Sequence, residues 1–266
     1  MLSLNDPRHE IIKNAITFFK ENKKISITKC AEKFGIHRQT LSSHLNKEGL
    51  LEDRRSYKVN DKFFDDINNE KKAYWLGFLT ADGYINNHCQ LGLGLSSKDI
   101  DHIEKFKKAI NSDHPIHIEK PRGYITKYSI ATIRIENKHL YNSLQKLGFC
   151  IKKTSNEVPV DIDNELICHY IRGMFDGDGW FSWNNKHVEI GFGMGINILE
   201  FIRDMLEKYA NIKRYDIKPF HNTFRYRISS KREVDKVLFY IYNNANEFLD
   251  RKYQNYLNYC RLKTSL

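Results

Sequence analysis

Trp75-Leu-Gly77-Phe-Leu-Thr-Ala81-Asp82-Gly83-Tyr84 is echoed 96 residues later by Ile171-Arg-Gly173-Met-Phe-Asp-Gly177-Asp178-Gly179-Trp180. A second echo follows each copy: Gln90-Leu-Gly-Leu-Gly-Leu-Ser returns as Glu189-Ile-Gly-Phe-Gly-Met-Gly at an offset of 99. An internal repeat of this kind points to one structural unit used twice. Gly77 and Ala81, like Gly173 and Gly177, are small residues four apart on one helical face. Small residues at that spacing let two helix backbones approach closely. Gly83 and Gly179 then end the helices just after Asp82 and Asp178. The second echo alternates strictly, which puts Leu91, Leu93 and Leu95, and likewise Ile190, Phe192 and Met194, on the buried face of a strand.

Further along each copy, Ile103, Phe106 and Ile110, and then Ile198, Phe201, Ile202 and Met205, keep a helical period. Two more strands are predicted in each copy, at about 114–120 and 126–136, then 212–219 and 223–230, before a closing helix. The expected architecture is α+β: two α-β-β-α-β-β-α halves, residues 71–158 and 159–266. Close packing of the two motif helices would set Asp82 and Asp178 side by side at one end. Two carboxylates there repel unless a divalent cation neutralises them. Hard oxygen donors with open positions suit Mg²⁺, with Mn²⁺ as a substitute, the remaining ligands coming from water and phosphate.

Residues 75–83 and 171–179 resemble the two copies of the LAGLIDADG motif. The two halves resemble the pseudo-twofold, single-chain form of the LAGLIDADG homing endonucleases, over roughly residues 70–266. Trp75, Ile171, Arg172 and Thr80 depart from the motif's letters, while Asp82 and Asp178 hold its second acidic position. The resemblance implies that Asp82 and Asp178 hold catalytic ions in a site-specific endonuclease that cuts both strands of DNA across the minor groove. It also implies a basic residue beside each active site. Lys153 and Lys252, 99 apart, are the candidates, with Lys152 and Arg251 as neighbours that could take the role.

Alternation on the later strands turns Ile116 and Ile118 inward and leaves His117, Glu119 and Lys120 toward the outer face or its end. Arg122 lies just beyond. Ile133 and Ile135 oppose Thr132 and Arg134, and Tyr226 and Ile228 oppose Arg225 and Arg227; Lys213, Arg214, Lys218 and His221 lie nearby. A two-stranded ribbon with such a face fits a major groove, where Arg reads base edges and Lys anchors phosphates.

Residues 1–50 read as helices. Ile11, Ile12, Ala15, Ile16 and Phe19 recur at helical spacing. Ala31, the turn at Gly35, and Ile36, Leu41 and Leu45 then fall at helix-turn-helix offsets. The second helix, about residues 37–46, would expose Arg38, Gln39, Ser42, Ser43 and Asn46 to DNA. Residues 51–70 are polar and poorly periodic, and read as a linker.

A net charge of +10 in 266 residues favours a polyanionic partner. Five scattered cysteines, none at CxxC spacing, suggest neither a zinc ribbon nor a disulfide framework. Neither a signal peptide nor a bilayer-length apolar run is read, so a soluble, cytoplasmic protein is expected. Two motifs in one chain predict a monomer, and the resemblance implies a long duplex target, asymmetric because the two halves differ. Two alternatives stay open on the same scaffold: a non-cleaving transcription regulator, and a maturase that binds intron RNA.

Overall fold

The computed structural model describes residues 7–22, 25–51, 57–120, 129–150, 158–184 and 187–264. The chain divides into two compact units, Met1–Tyr57 and Lys58–Leu266. No helix among the described residues is long and apolar enough to cross a membrane.

Among its described residues the small unit has three helices: α1 (Pro7–Glu21), α2 (Ile27–Lys33) and α3 (Arg38–Lys47). Its core is Ile12, Ala15, Ile16, Phe19, Ile27, Cys30, Ala31, Leu41 and Leu45. Ser26 caps α2 by accepting from the Lys29 amide at 3.2 Å, which satisfies one of the orphan N–H groups of the first turn. Gly35 turns the chain with φ +63°, a conformation that a side chain disfavours. His37 then caps α3, its Nδ1 accepting from the Gln39 amide.

In the larger unit the first half runs α4 (Glu70–Asp82), β1 (Gly83–Asn86), β2 (Gln90–Ser96), α5 (Ile100–Ala109), β3 (Ile116–Glu119), β4 (Ile130–Glu136) and α6 (Lys138–Lys146). The second half repeats it as α7 (Ile167–Asp178), β5 (Gly179–Trp183), β6 (Val188–Met194), α8 (Ile196–Tyr209), β7 (Ile217–Phe220), β8 (Thr223–Ile228) and α9 (Lys231–Tyr242), and adds α10 (Asp250–Thr264). Each half holds a four-stranded antiparallel sheet in the same order, β1-β2-β4-β3 and β5-β6-β8-β7. This is the expected α+β architecture with two similar halves. One hydrophobic core runs through both, from Phe63 and Phe64 to Tyr259.

Four expectations need correction. The outer strands are shorter than 114–120, 126–136, 212–219 and 223–230; residues 126–128 lie outside the described chain, and 212–216 are irregular although Ile212 is buried. Residues 51–70 are not a linker throughout. From Lys58 onward they belong to the larger unit, because Phe63 and Phe64 sit in its core and Lys58 and Asn60 bond to Asp113 and Ile110. Ile118 pairs with Ala131 on the core-facing side, yet it is 61% exposed because the edge strand β3 overhangs the core. The second half carries a helix, α10, that the repeat did not announce.

Candidate active site and nucleic-acid interface

Helices α4 and α7 cross at their glycines. A β-carbon on Gly77 would lie 2.0 Å from the Tyr170 carbonyl oxygen, and one on Gly173 would lie 2.1 Å from that of Tyr74. These contacts are reciprocal, backbone against backbone, as a pseudo-twofold pair requires. Every residue from Ala73 to Ala81 is buried, so this stretch of α4 is enclosed on all sides rather than amphipathic. At the far end a β-carbon on Gly177 would meet the Ala81 β-carbon at 2.3 Å and Asp82 Oδ2 at 3.0 Å. The Asp82 carboxylate thus lies against Gly177, the residue before Asp178. Asp82 is half-buried and Asp178 exposed.

Gly83 and Gly179 end the helices, but not by the left-handed turn usual for a terminal glycine. Both have extended backbones, φ −77° and −88°, and pass directly into β1 and β5. Space requires them. A β-carbon would come within 2.8 Å of the Leu79 carbonyl oxygen in one case and 2.6 Å of the Phe175 carbonyl oxygen in the other.

Lys252, a catalytic candidate from the sequence, lies beneath this site. Its ammonium donates to the carbonyl oxygens of Phe175 at 2.6 Å, Gly179 at 2.5 Å and Gly177 at 3.4 Å. An ammonium has three protons, and here three carbonyls engage them. Burial pushes Lys252 down to about 8, against the pull of Asp176, Asp82 and Asp178. The geometry makes it a brace for the end of α7. Its neighbour Arg251 is paired with Asp99 at 3.1 Å. Lys152 and Lys153 lie outside the described residues.

Asp176, which the repeat aligns with Thr80, was not singled out by the sequence reading. It is fully enclosed and accepts from the hydroxyls of Tyr74 (2.9 Å) and Tyr242 (2.6 Å) and from the Leu249 amide (2.7 Å). Burial raises its pKa, while Lys252 and these donors oppose the rise. Across the pseudo-dyad, Tyr170 lies 3.3 Å from the Thr80 hydroxyl, as Tyr74 lies beside Asp176. The 96-residue offset that aligns Tyr74 with Tyr170 was the available signal. Arg172 is also fully buried; it donates to the carbonyls of Glu247 and Ile241, both at 2.8 Å, and to Glu70 at 2.5 Å. These bonds fasten the turn before α10 to the motif helices, so each buried charge has its partners.

The two sheets present polar outer faces. In the first, Arg134 and Lys120 are exposed, and Arg134 contacts Glu119 at 2.6 Å. In the second, Lys218, Arg225 and Arg227 share the outer face. Arg225 lies over the Phe220 ring at 3.2 Å from its centroid, with Trp180 at 5.5 Å. A cleft of about 590 Å³ opens there, lined by Trp180, Glu189, Lys218, Phe220, Arg225 and Arg227 among others. Arg214, expected near this face, instead pairs with Asp204 and Glu207. Arg122 lies outside the described residues. On α3, Arg38, Gln39, Ser43 and Asn46 are exposed and Ser42 is half-buried. All five cysteines are unbridged.

Residues 165–242 match the family model described as a LAGLIDADG-like domain. The fold resembles the LAGLIDADG meganuclease I-AabMI bound to uncleaved DNA, with TM-score 0.51 and 13% identity, covering 74% of this chain and 92% of that one. It also resembles the I-LtrWI LAGLIDADG homing endonuclease bound to target DNA, with TM-score 0.50 and 13% identity, covering 77% and 92%. Among curated proteins, 191 residues are 26% identical to glutamine–fructose-6-phosphate aminotransferase (isomerizing) of Methanocaldococcus jannaschii, over 66% of this chain. The match spans only 16% of that relative's length. The family match is confined to residues 165–242, and the likeness to these structures shows a LAGLIDADG fold.

Proposed function

We propose that this LAGLIDADG-fold chain is a divalent-metal-dependent endonuclease that binds a long duplex DNA site as a monomer and hydrolyses both strands. The observation that carries this is the α4–α7 crossing, which brings Asp82 against Gly177 and thereby joins the two motif ends. Both halves of the site come from one chain, so no second copy is needed. Because the outer faces of the two sheets differ, an asymmetric target is expected.

The residues fit a hard cation. Asp82 and Asp178 supply carboxylate oxygens, and the missing side chain at Gly177 leaves the space that the Asp82 carboxylate occupies. Among the described residues no group of three or more His, Cys, Asp or Glu gathers, so water and phosphate would supply the rest of the shell. Mg²⁺ bound there would offset the charge that develops on a phosphate under attack by water. The chain's own part is positioning. Lys252 holds the end of α7, Asp176 locks that helix to Tyr242 and Leu249, and the sheets seat the duplex. Replacing Lys252 by Met leaves three carbonyls without their donor. The Mg²⁺ concentration needed for half-maximal cleavage, or the rate itself, should then worsen by about 10- to 100-fold while duplex affinity holds. An unchanged Mg²⁺ requirement and rate would show that the brace is dispensable.

The small unit, with exposed Arg38, Gln39, Ser43 and Asn46 on α3, is assigned a helix-turn-helix role as a second DNA contact. Tethering it to the nuclease raises its effective concentration at the site, so its contribution appears as affinity and not as chemistry. A chain beginning at Lys58 should bind more weakly, with a shallower salt dependence and a footprint shortened on one side, at nearly the same saturating cleavage rate. An unaltered footprint and salt slope would give the unit another task.

The test of the whole reading is break mapping. The full chain is incubated with a random duplex library and Mg²⁺, and the new ends are sequenced. Paired breaks on both strands at a discrete sequence support it. Enrichment of a bound sequence without breaks would instead favour the non-cleaving regulator.

A further inference from the structure

The outer faces of the two sheets carry the same three-part device. In the first, Tyr84 lies across the central strand where Gly92 has no side chain: a β-carbon there would fall 2.1 Å from the tyrosine ring. In the second, Trp180 lies across Gly191 in the same way, at 2.2 Å. The registers coincide, since Tyr84 pairs with Gly92 and Gly92 with Arg134, as Trp180 pairs with Gly191 and Gly191 with Arg227. Each arginine is therefore the next residue past an aromatic ring laid over glycine.

Each arginine is also held by a carboxylate, but by different routes. Arg134 meets Glu119 of β3 at 2.6 Å, and the Tyr84 hydroxyl adds to its support. Arg227 meets Glu189 of β6 at 3.4 Å, and Glu189 is itself fixed by the Trp180 indole N–H at 2.8 Å. A guanidinium so anchored keeps its other N–H groups for a partner and loses less freedom on binding. Two parallel donors in a plane match the O6 and N7 acceptors on the major-groove edge of guanine.

We propose that Arg134 and Arg227 read guanine at pseudo-dyad-related positions, one in each half of the target. This inference rests on the duplex-DNA reading above. The next rung of each sheet breaks the symmetry: Thr132 lies between Gly94 and His117, whereas Arg225 lies between Gly193 and Lys218. The target is thus matched about its centre at the guanine pair and unmatched beside it. Glu119 and Glu189 are positioning residues.

The experiment enriches bound sequences from a random duplex library with the full chain in Ca²⁺, for the wild type, Arg134→Gln and Arg227→Gln. Guanines are expected equidistant from the centre, within about one base-pair step. Each substitution should lower guanine preference about 5- to 150-fold, toward adenine, in its own half only. Glu119→Gln and Glu189→Gln should weaken the same preference without moving it. A motif lacking the guanine pair overturns the proposal, as does an arginine variant that binds all sequences uniformly less well, the mark of a phosphate contact. If no sequence is enriched at all, the duplex-DNA reading fails and this inference falls with it.

Discussion

Asp82→Asn and Asp178→Asn are each expected to abolish double-strand cleavage, with rate losses on the order of 10³ or more, while duplex affinity changes little. The amide keeps the size and most of the polarity of the carboxyl but removes the charge that recruits a cation. Asp82 lies against Gly177 at the α4–α7 crossing, so a change there touches both halves of the site. A single substitution should therefore stop the second cut as well as the first, or leave nicked product where the halves act separately. Gel-resolved cleavage of a supercoiled plasmid bearing the target distinguishes intact, nicked and linear forms. Wild-type rates in both single variants and in the double variant would remove the two carboxylates from the mechanism.

The largest effect on stability is expected at the helix crossing. Gly77→Ala and Gly173→Ala would each drive a methyl into a backbone carbonyl of the facing helix, at 2.0 and 2.1 Å. Backbone cannot yield as a flexible side-chain tip can, so the helices must separate and open the core that both halves share. A loss of about 3 kcal/mol or more is expected, at the upper end for overpacking. Gly193→Ala is the internal control. That glycine has open space around a new β-carbon, and the same substitution should change stability by less than about 0.5 kcal/mol. Urea unfolding followed by far-UV circular dichroism gives both numbers. Equal midpoints for Gly77→Ala and Gly193→Ala would mean that the crossing is not as close as described.

The doubled motif made the fold legible, because repetition fixes several things at once. Two glycine-spaced helices, two alternating strands at offset 99 and two further strand pairs leave few ways to close a core. The α4–α7 crossing and the inward faces of β2 and β6 follow from that pattern directly. What stayed hidden depends on contacts between residues distant in sequence. Asp176 reads as one more motif letter until Tyr242 and the Leu249 amide converge on it from the end of the chain. Lys252 stands out in sequence by its 99-residue offset from Lys153, but the carbonyls at the end of α7 that engage its ammonium come from residues more than 70 positions away. Phe63 and Phe64 were concealed by the polar residues around them, and with them the true start of the larger unit. Ile118 shows the opposite failure, since alternation assigns a face but cannot say where a sheet outruns its core.

The central claim is that the two motif ends together hold a divalent cation, and Mn²⁺ tests it most directly. Substoichiometric Mn²⁺ is added to ¹⁵N-labelled protein bound to a duplex with hydrolysis-resistant linkages at the mapped break positions, and the paramagnetic broadening of amide signals is mapped. The account predicts broadening centred on Gly83 and Gly179, the residues after Asp82 and Asp178, and its loss in the Asp82→Asn/Asp178→Asn double variant. Broadening centred elsewhere, or undiminished in the double variant, would contradict it.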